Sequence, residues 1–425
     1  MTFIEELKLR GLLQDMIPGT EEFIENNEVK GYIGYDPTAP SLTIGNLVTI
    51  MMLVHLQRHG KTPVVLFGGA TGRVGDPSGK DAERKLLPED VIEANLANQV
   101  GQFKRLLNFE DGHNKAITVN NYDWFKNIGF IEFLRDAGKH LTINYMMSKE
   151  SVKRRIETGL SFTEFSYQLL QGYDFYHLYE NHGVNLQLGG SDQWGNITTG
   201  TELVRRKSGG EVYAAVCPLL TKADGSKFGK SEGGNVWLDP KMTSPYKFYQ
   251  FFMNAADADV EKMLKIFSLR PIEEILEIIE QHNADPGRRY GQKILAEDAT
   301  ILVHGEEELQ KAQDATSLLF GKGTAETLMK LDEETLLSIF DGVPTFHISK
   351  TELSAGINII ELLATNTSIL SSKGEARREI KGNAISINKT KVTKEDHQVT
   401  NADLLNNKYM LVQKGKKNYN LLIAE

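Results

Sequence analysis

The chain has a single cysteine, Cys217, in 425 residues. That excludes an intramolecular disulfide and a zinc site built from cysteines. Set between the apolar run Ala214-Ala215-Val216 and Pro218, it reads as a buried thiol, and a cytoplasmic location is expected. No run of 18 or more apolar residues occurs, so no membrane span is expected. The segment Met1–Arg10 mixes both charge signs and lacks the apolar stretch of a signal peptide. Proline is scarce, at 12, and the 38 glycines show no repeat, which excludes collagen-like and low-complexity chains. Positive charge is also short. The net charge of −9 argues against a protein coated in nucleic acid, but the deficit is uneven. From Ser372 onward there are 11 Lys/Arg against 6 Asp/Glu, net +5, leaving −14 for the rest. An acidic body with a basic tail suggests that the tail meets a polyanion; a solvated basic face is the plain alternative.

What is present is size and pattern. A hydrophobic content of 40% over this length supports two or three domains. Short apolar strands alternate with amphipathic helices up to about residue 220. Strands are predicted at Val29–Tyr35, Thr62–Phe67, Ala116–Asn120, Val184–Leu188 and Glu211–Val216. Helices are predicted at Gly45–His59, Glu89–Leu107 and Ser191–Lys207. This alternation implies an α/β fold, a Rossmann-like doubly wound parallel sheet, over residues 1–240. A mostly helical stretch at about 122–180 reads as an insertion. Residues 241–340 read as a helical domain and 341–356, with Asp341-Gly342-Val343-Pro344, as a linker. Residues 357–425 read as a small α+β domain.

The glycine-rich and polar segments fall just after predicted strands, where such sheets bind ligands. Asp36-Pro37-Thr38-Ala39-Pro40-Ser41-Leu42-Thr43-Ile44-Gly45-Asn46 feeds a helix start, whose free N–H groups favour a phosphate. Gly34 and Gly45 allow close approach of a nucleoside. The run Gly68–Lys80 invites a P-loop reading, which fails: three residues separate Gly75 from Gly79, and Asp81 follows Lys80. It still offers Asp76 as a partner for an ammonium group, with Lys80 and Arg84 as cations. Tyr167, Gln171 and Asp174 share one helical face, and Asp174 with Tyr32 could recognise a hydroxyl. Gly190 and Asp192 open a further helix, Asp192 serving either ribose hydroxyls or a plain helix cap. Lys227-Phe228-Gly229-Lys230-Ser231 is a cationic glycine-bearing loop suited to a triphosphate; a solvated loop is the bland reading.

In this order the motifs resemble those of bacterial-type tyrosyl-tRNA synthetases, a class I family, over essentially the whole chain. The Asp36–Asn46 stretch resembles the "HIGH" region, Lys227–Ser231 the "KMSKS" loop, and Ser371–Asn388 the S4 RNA-binding fold. The resemblance implies activation of L-tyrosine by ATP, with Mg²⁺ entering alongside it, and transfer to tRNA(Tyr). It implies phosphate contacts by Thr38, Lys80, Arg84, Lys227, Lys230 and Ser231, and ATP contacts by Gly34, Asp36, Thr43, Gly45, Asn46, Gly190 and Asp192. Tyr32, Asp76, Asn121, Tyr167, Gln171, Asp174 and Gln193 match substrate-contacting positions. Arg377, Arg378 and Lys381 would lie against RNA backbone, and a homodimer would form near residues 126–162. The first and last histidines of the family's motif are Thr43 and Asn46 here, and Thr43→His is expected to leave activity equal or better. A tryptophanyl enzyme, an RNA-binding protein without catalysis and a small-molecule adenylyltransferase are the competing readings.

Overall fold

The computed structural model describes residues 1–78, 86–156, 159–223, 225, 228–231, 234–320, 325–340, 343–415 and 418–425. For 151, 154, 230, 231, 318–320 and 327 it describes the backbone alone. The chain forms two compact units, Met1–Thr243 with Phe251–Val303, and Ser244–Gln250 with His304–Glu425.

The first unit is built on a six-stranded sheet. Its strands are β1 (Asp15–Met16), β2 (Lys30–Tyr35), β3 (Thr62–Phe67), β4 (Ile117–Asn120), β5 (Leu186–Gly190) and β6 (Tyr213–Cys217). Their order is β1-β6-β5-β2-β3-β4. All neighbours are parallel except β1, a two-residue edge strand antiparallel to β6. It was not foreseen, because two residues carry no readable periodicity. Strands β3, β5 and β6 are buried almost throughout, as parallel strands covered on both faces must be. The chain reverses direction of travel across the sheet between β2 and β5. Those two strands pair only at Gly31–Leu186 and Tyr32–Gln187 and then part, which opens a crevice at their carboxyl ends.

The helices of this part are α1 (Phe3–Leu9), α2 (Thr20–Asn26), α3 (Ile44–Arg58) and α4 (Glu89–Leu106), then α5 (Tyr122–Phe125), α6 (Phe130–Asp136), α7 (Ile143–Met147), α8 (Glu150–Ile156), α9 (Phe162–His182) and α10 (Trp194–Ser208). Helix α9 opens on a Ser161–Glu164 capping box and closes on Gly183 in the left-handed conformation. Helix α10 begins three residues later than expected, because Ser191–Gln193 wind as a 3₁₀ turn with Gly190 at its head. Asp192 thus lies inside that turn, and the N-cap positions fall to Gly190 and Gln193.

A buried ionic cluster ties α1 to α3. Arg10, 1% exposed, donates to Glu6 at 2.8 Å and to the carbonyls of Lys265, Ser268 and Arg270 at 2.7–3.0 Å. Glu6 also meets His59 Nε2 at 2.5 Å and lies 3.3 Å from His55 Nδ1. This fastens the far end of the helix whose start borders the crevice.

The second unit corrects the expected domain limits. Thr345–Ile348, read as linker, pairs in parallel with Asn418–Ala424 at the edge of a five-stranded sheet. The alternation Thr345-Phe346-His347-Ile348 is too short to separate from a linker by pattern alone. Residues 304–340, assigned to a separate helical domain, group with this unit. Helix Lys373–Lys381 packs Ala376 and Ile380 into its core, leaving Arg377, Arg378 and Lys381 exposed.

Candidate active site

The crevice is a cavity of about 650 Å³. Its lining contains fourteen of the residues singled out from sequence: Tyr32, Gly34, Asp36, Thr38, Thr43, Gly45, Asn46, Asp76, Tyr167, Gln171, Asp174, Gly190, Asp192 and Gln193. Lys80, Arg84 and Lys227 lie outside the described residues, as do the side chains of Lys230 and Ser231.

At one end the cavity floor is a polar pocket in an apolar setting. Tyr32, 1% exposed, packs edge-on against Phe175, and its hydroxyl finds no hydrogen-bond partner among the described residues. Asp174, 2% exposed, accepts from Asn121 Nδ2 at 3.1 Å and from Trp124 Nε1 at 3.0 Å. Trp124 is itself stacked on His177. Burial pushes the Asp174 carboxyl well above the usual carboxylate range, against the pull of those two donors. Burial, helped by the Asp174 charge, likewise holds the Tyr32 phenol protonated. A buried hydroxyl without a partner costs about 1–3 kcal/mol, so this pocket favours a ligand that brings a hydroxyl of its own.

Asn121 stands apart from the expectation. It does not line the cavity but is fully buried behind it, joining Ala70 N, Thr71 Oγ1 and Asp174. Its amide braces the carboxylate, since all its hydrogen-bonding capacity toward the pocket is spent on Asp174. Thr71, which sequence reasoning missed, also donates to Asp36 Oδ1 at 2.6 Å, while Tyr167 donates to Asp36 Oδ2 at 2.8 Å. Gly68 is required here, because a Cβ would collide with Asp36 Oδ1 and Thr71 Oγ1. Asp76 accepts from Gln193 Nε2 at 2.7 Å and from Ser78 N at 2.9 Å. A carboxylate so oriented suits an ammonium ion.

The other end of the cavity joins the two remote motifs. Ile44 N donates to Val236 O, Leu238 N to Leu42 O, and Val236 N to Gly229 O, each at 2.9 Å. Lys230–Ser231 (β7) pairs with Gly234–Asn235 (β8) as a short hairpin. Gly229, at φ +85°, packs so close that a Cβ would come within 2.9 Å of Ile44 Cγ2 and 3.4 Å of Gly45 N. The helix start and the cationic loop are therefore one backbone assembly. Stability of the 36–43 loop comes from a stripe of amides on α4. Asn95 donates to Pro37 O, Gln99 to Ala39 O, and Gln102 to Ser41 Oγ while accepting from Leu42 N. Positions 95, 99 and 102 share a helical face, a signal available in the sequence and not used. Gln187, abreast of Tyr32 and 2% exposed, also lines the cavity unforeseen. Cys217 lies at its wall with burial pushing its thiol up to about 12, so it is inert. Thiol reagents are expected to label Cys217 only under denaturing conditions; fast labelling of the native protein would contradict its burial.

The family model for class I tRNA synthetases of the tryptophan and tyrosine type matches residues 25–321. The chain belongs to this family. A second model, for the C-terminal domain of tyrosine–tRNA ligases of the SYY type, matches residues 335–422 of this synthetase. Over their full lengths, the synthetase is 55% identical to the tyrosine–tRNA ligase of Bacteroides thetaiotaomicron. It is 56% identical to that of Cytophaga hutchinsonii, over 99% of both chains. Among solved structures it resembles the C-terminally truncated mitochondrial tyrosyl-tRNA synthetase of Aspergillus nidulans, with 33% identity and a TM-score of 0.69. That match covers 75% of this chain and 94% of the other.

Proposed function

We propose that the synthetase activates L-tyrosine with ATP and transfers it to tRNA(Tyr). One observation carries the choice of amino acid. The buried Tyr32 hydroxyl and the braced Asp174 carboxyl both line the cavity. A phenol accepts from Tyr32 and shares its own proton with Asp174. An indole ring brings a single N–H donor and no hydroxyl oxygen, so it would leave the Tyr32 hydroxyl unpaired, which disfavours the tryptophanyl reading.

In the first step an oxygen of the tyrosine carboxylate attacks the α-phosphorus of ATP in line. The bond to the bridging oxygen breaks, and pyrophosphate departs, leaving tyrosyl-adenylate. The terminal ribose hydroxyl of the tRNA then attacks the activated carbonyl, displacing AMP. Neither step needs a protein nucleophile. The chain's contribution is positioning, plus stabilisation of charge on the departing phosphates. Tyr32 and Asp174 hold the phenol, and Asp76, Tyr167 and Gln171 the amino group, with Gln193 orienting Asp76. Gly34, Asp36, Thr43, Gly45, Asn46, Gly190 and Asp192 surround the nucleoside and α-phosphate. Thr38 is assigned to the outer phosphates, and the family's motifs assign Lys80, Arg84, Lys227, Lys230 and Ser231 to them as well, although these side chains lie outside the described residues. Mg²⁺ accompanies the ATP phosphates, and the oxygen donors of Asp192 and Thr38 at the cavity suit its hydrated form.

Tyrosine-dependent ATP–pyrophosphate exchange tests the assignment. Exchange with tyrosine is expected; exchange with tryptophan alone, or with no amino acid, would remove it.

The remaining partners extend the same reading. In the insertion Met146 is buried, and Phe133 and Tyr145 pack on its small core. Phe130, Ile131 and Phe162, by contrast, are 64–69% exposed, and Leu134 is exposed as well. An exposed apolar patch of this kind fits a second copy of the chain, so we place the homodimer interface here. Among the described residues no helix is long and apolar enough to cross a membrane, and the proposed site of action is the cytoplasm. On helix Lys373–Lys381, Arg377 and Lys381 approach Glu395 at 3.6 and 3.3 Å, both exposed enough to exchange that partner for phosphate. Replacing Arg377, Arg378 and Lys381 together by alanine is expected to raise the KM for tRNA about tenfold at moderate salt. The log–log salt slope should fall by roughly 2, with pyrophosphate exchange untouched. An unchanged tRNA KM would take the RNA contact away from this helix.

A further inference from the structure

We propose that Thr43 is a positioning residue for ATP, acting through Asn46 and making no phosphate contact of its own. The inference rests on the synthetase reading and gives Thr43 a different job within the site. Thr43 precedes α3 in extended conformation, at φ −101° and ψ 166°. Its backbone N–H donates to Asn46 Oδ1 at 2.9 Å, and its hydroxyl donates to the same oxygen at 2.8 Å. A backbone N–H can only donate, so the atom facing it must be the amide oxygen. The orientation of the Asn46 carboxamide is thus fixed by chemistry.

Two consequences follow from the proton count. A threonine hydroxyl carries one proton, and here it is spent on Asn46. Toward a phosphate Thr43 can present only lone pairs, which an anionic oxygen repels. Asn46 is in the opposite position. With Oδ1 engaged twice, what it offers the cavity it lines is Nδ2, a group with two protons and no acceptor capacity. That suits a ribose or phosphate oxygen. Fixing the amide before ATP arrives also removes the ordering cost of one rotatable side chain at binding.

Thr43 is held in turn from its other side. It forms an isolated antiparallel bridge with Trp237, and the next residue donates to Val236 O at 2.9 Å. The strand segment that continues the cationic loop therefore sets Thr43, and Thr43 sets Asn46.

The test uses the full-length protein in ATP–pyrophosphate exchange, with Thr43→Val, Thr43→Ser, Asn46→Ala, Asn46→Asp and the Thr43→Val/Asn46→Ala double variant. Thr43→Val is expected to raise the KM for ATP about tenfold while leaving the KM for tyrosine unchanged. Thr43→Ser keeps the hydroxyl and should stay within about twofold of the parent. Asn46→Asp keeps the oxygen that Thr43 binds but loses the donor, so it should be at least as impaired as Asn46→Ala. In the Asn46→Ala background, Thr43→Val should add less than about twofold, because its object is gone. Full additivity would mean that Thr43 touches ATP itself and would overturn the proposal. Equal losses for tyrosine and ATP would also overturn it, as a loosening of the whole cavity. Absence of exchange in the parent protein would instead remove the functional reading on which the inference stands.

Discussion

Asp174→Asn is expected to lower kcat/KM for tyrosine activation by at least about 100-fold, roughly 3 kcal/mol of lost transition-state binding. The size follows from donor arithmetic. Asn121 Nδ2 and Trp124 Nε1 are both donors, and each has one carboxylate oxygen to itself. Asparagine supplies a single oxygen, so its own NH₂ must face one of those donors in a site sealed from water. The pocket would rearrange, and the phenol would lose its partner. Tyr32→Phe removes only a neutral donor and should cost about tenfold for tyrosine. Phenylalanine, which has no hydroxyl to lose, should be activated as before. Discrimination between the two therefore narrows by the same factor. The roughly 10⁵-fold rejection of phenylalanine is a magnitude established for tyrosyl-tRNA synthetases as a class, not a quantity read from this geometry. Exchange kinetics with both amino acids measure all of this. If Tyr32→Phe slows tyrosine and phenylalanine alike, the hydroxyl is serving the fold and not the substrate.

Arg10→Met is expected to lower the unfolding free energy by about 3–5 kcal/mol. The guanidinium holds one carboxylate and three carbonyls, all of which lose their donor together. Methionine fills much of the volume, so the loss should not come from a cavity. Urea unfolding of the variant against the parent decides it, and a shift below about 1 kcal/mol would mean that water satisfies the site.

The same cluster sets an acid dependence. Burial depresses the His55 pKa, with Arg10 and Arg58 adding to that and Glu6 opposing it. Although burial alone would raise it, the Glu6 carboxyl is held far below its usual range by His55, His59 and Arg10. For both groups the unfolded chain takes up protons at higher pH than the folded one. Their stabilisation is present above the unfolded values and is lost as pH falls, below about 6.5 for His55 and about 4.3 for Glu6. The urea midpoint should therefore drop between pH 7.5 and 5.5, and a His55→Gln variant should show a smaller drop.

Local chemistry made much of the catalytic unit legible. Strand β3, Thr62–Phe67, is bounded as expected because its apolar run is flanked by Gly60 and Gly68. The shared face of Tyr167, Gln171 and Asp174 follows from helical spacing, and all three meet the cavity. Misassignments came where the deciding interaction is distant in sequence. Thr345–Ile348 is a strand only because Asn418–Ala424 lies beside it. Asn121, matched to a substrate-contacting position, donates to Asp174, 53 residues on, and nothing in its own neighbourhood announces that partner.

By itself, then, the order of residues determined which segments could bind anions, which face of α9 is polar, and where strands feed glycine-bearing turns. These depend on neighbours within a few positions, where spacing is fixed by covalent geometry. Only the tertiary structure decided who partners whom. It put the 42–44 segment in a ladder with 236–238, and spent the Thr43 proton on Asn46. Among the described residues it also left the Tyr32 hydroxyl without a partner while giving Asp174 two. A hydrogen bond joins atoms that meet in space, and the folding of the sheet, not separation along the chain, brings them within 3 Å.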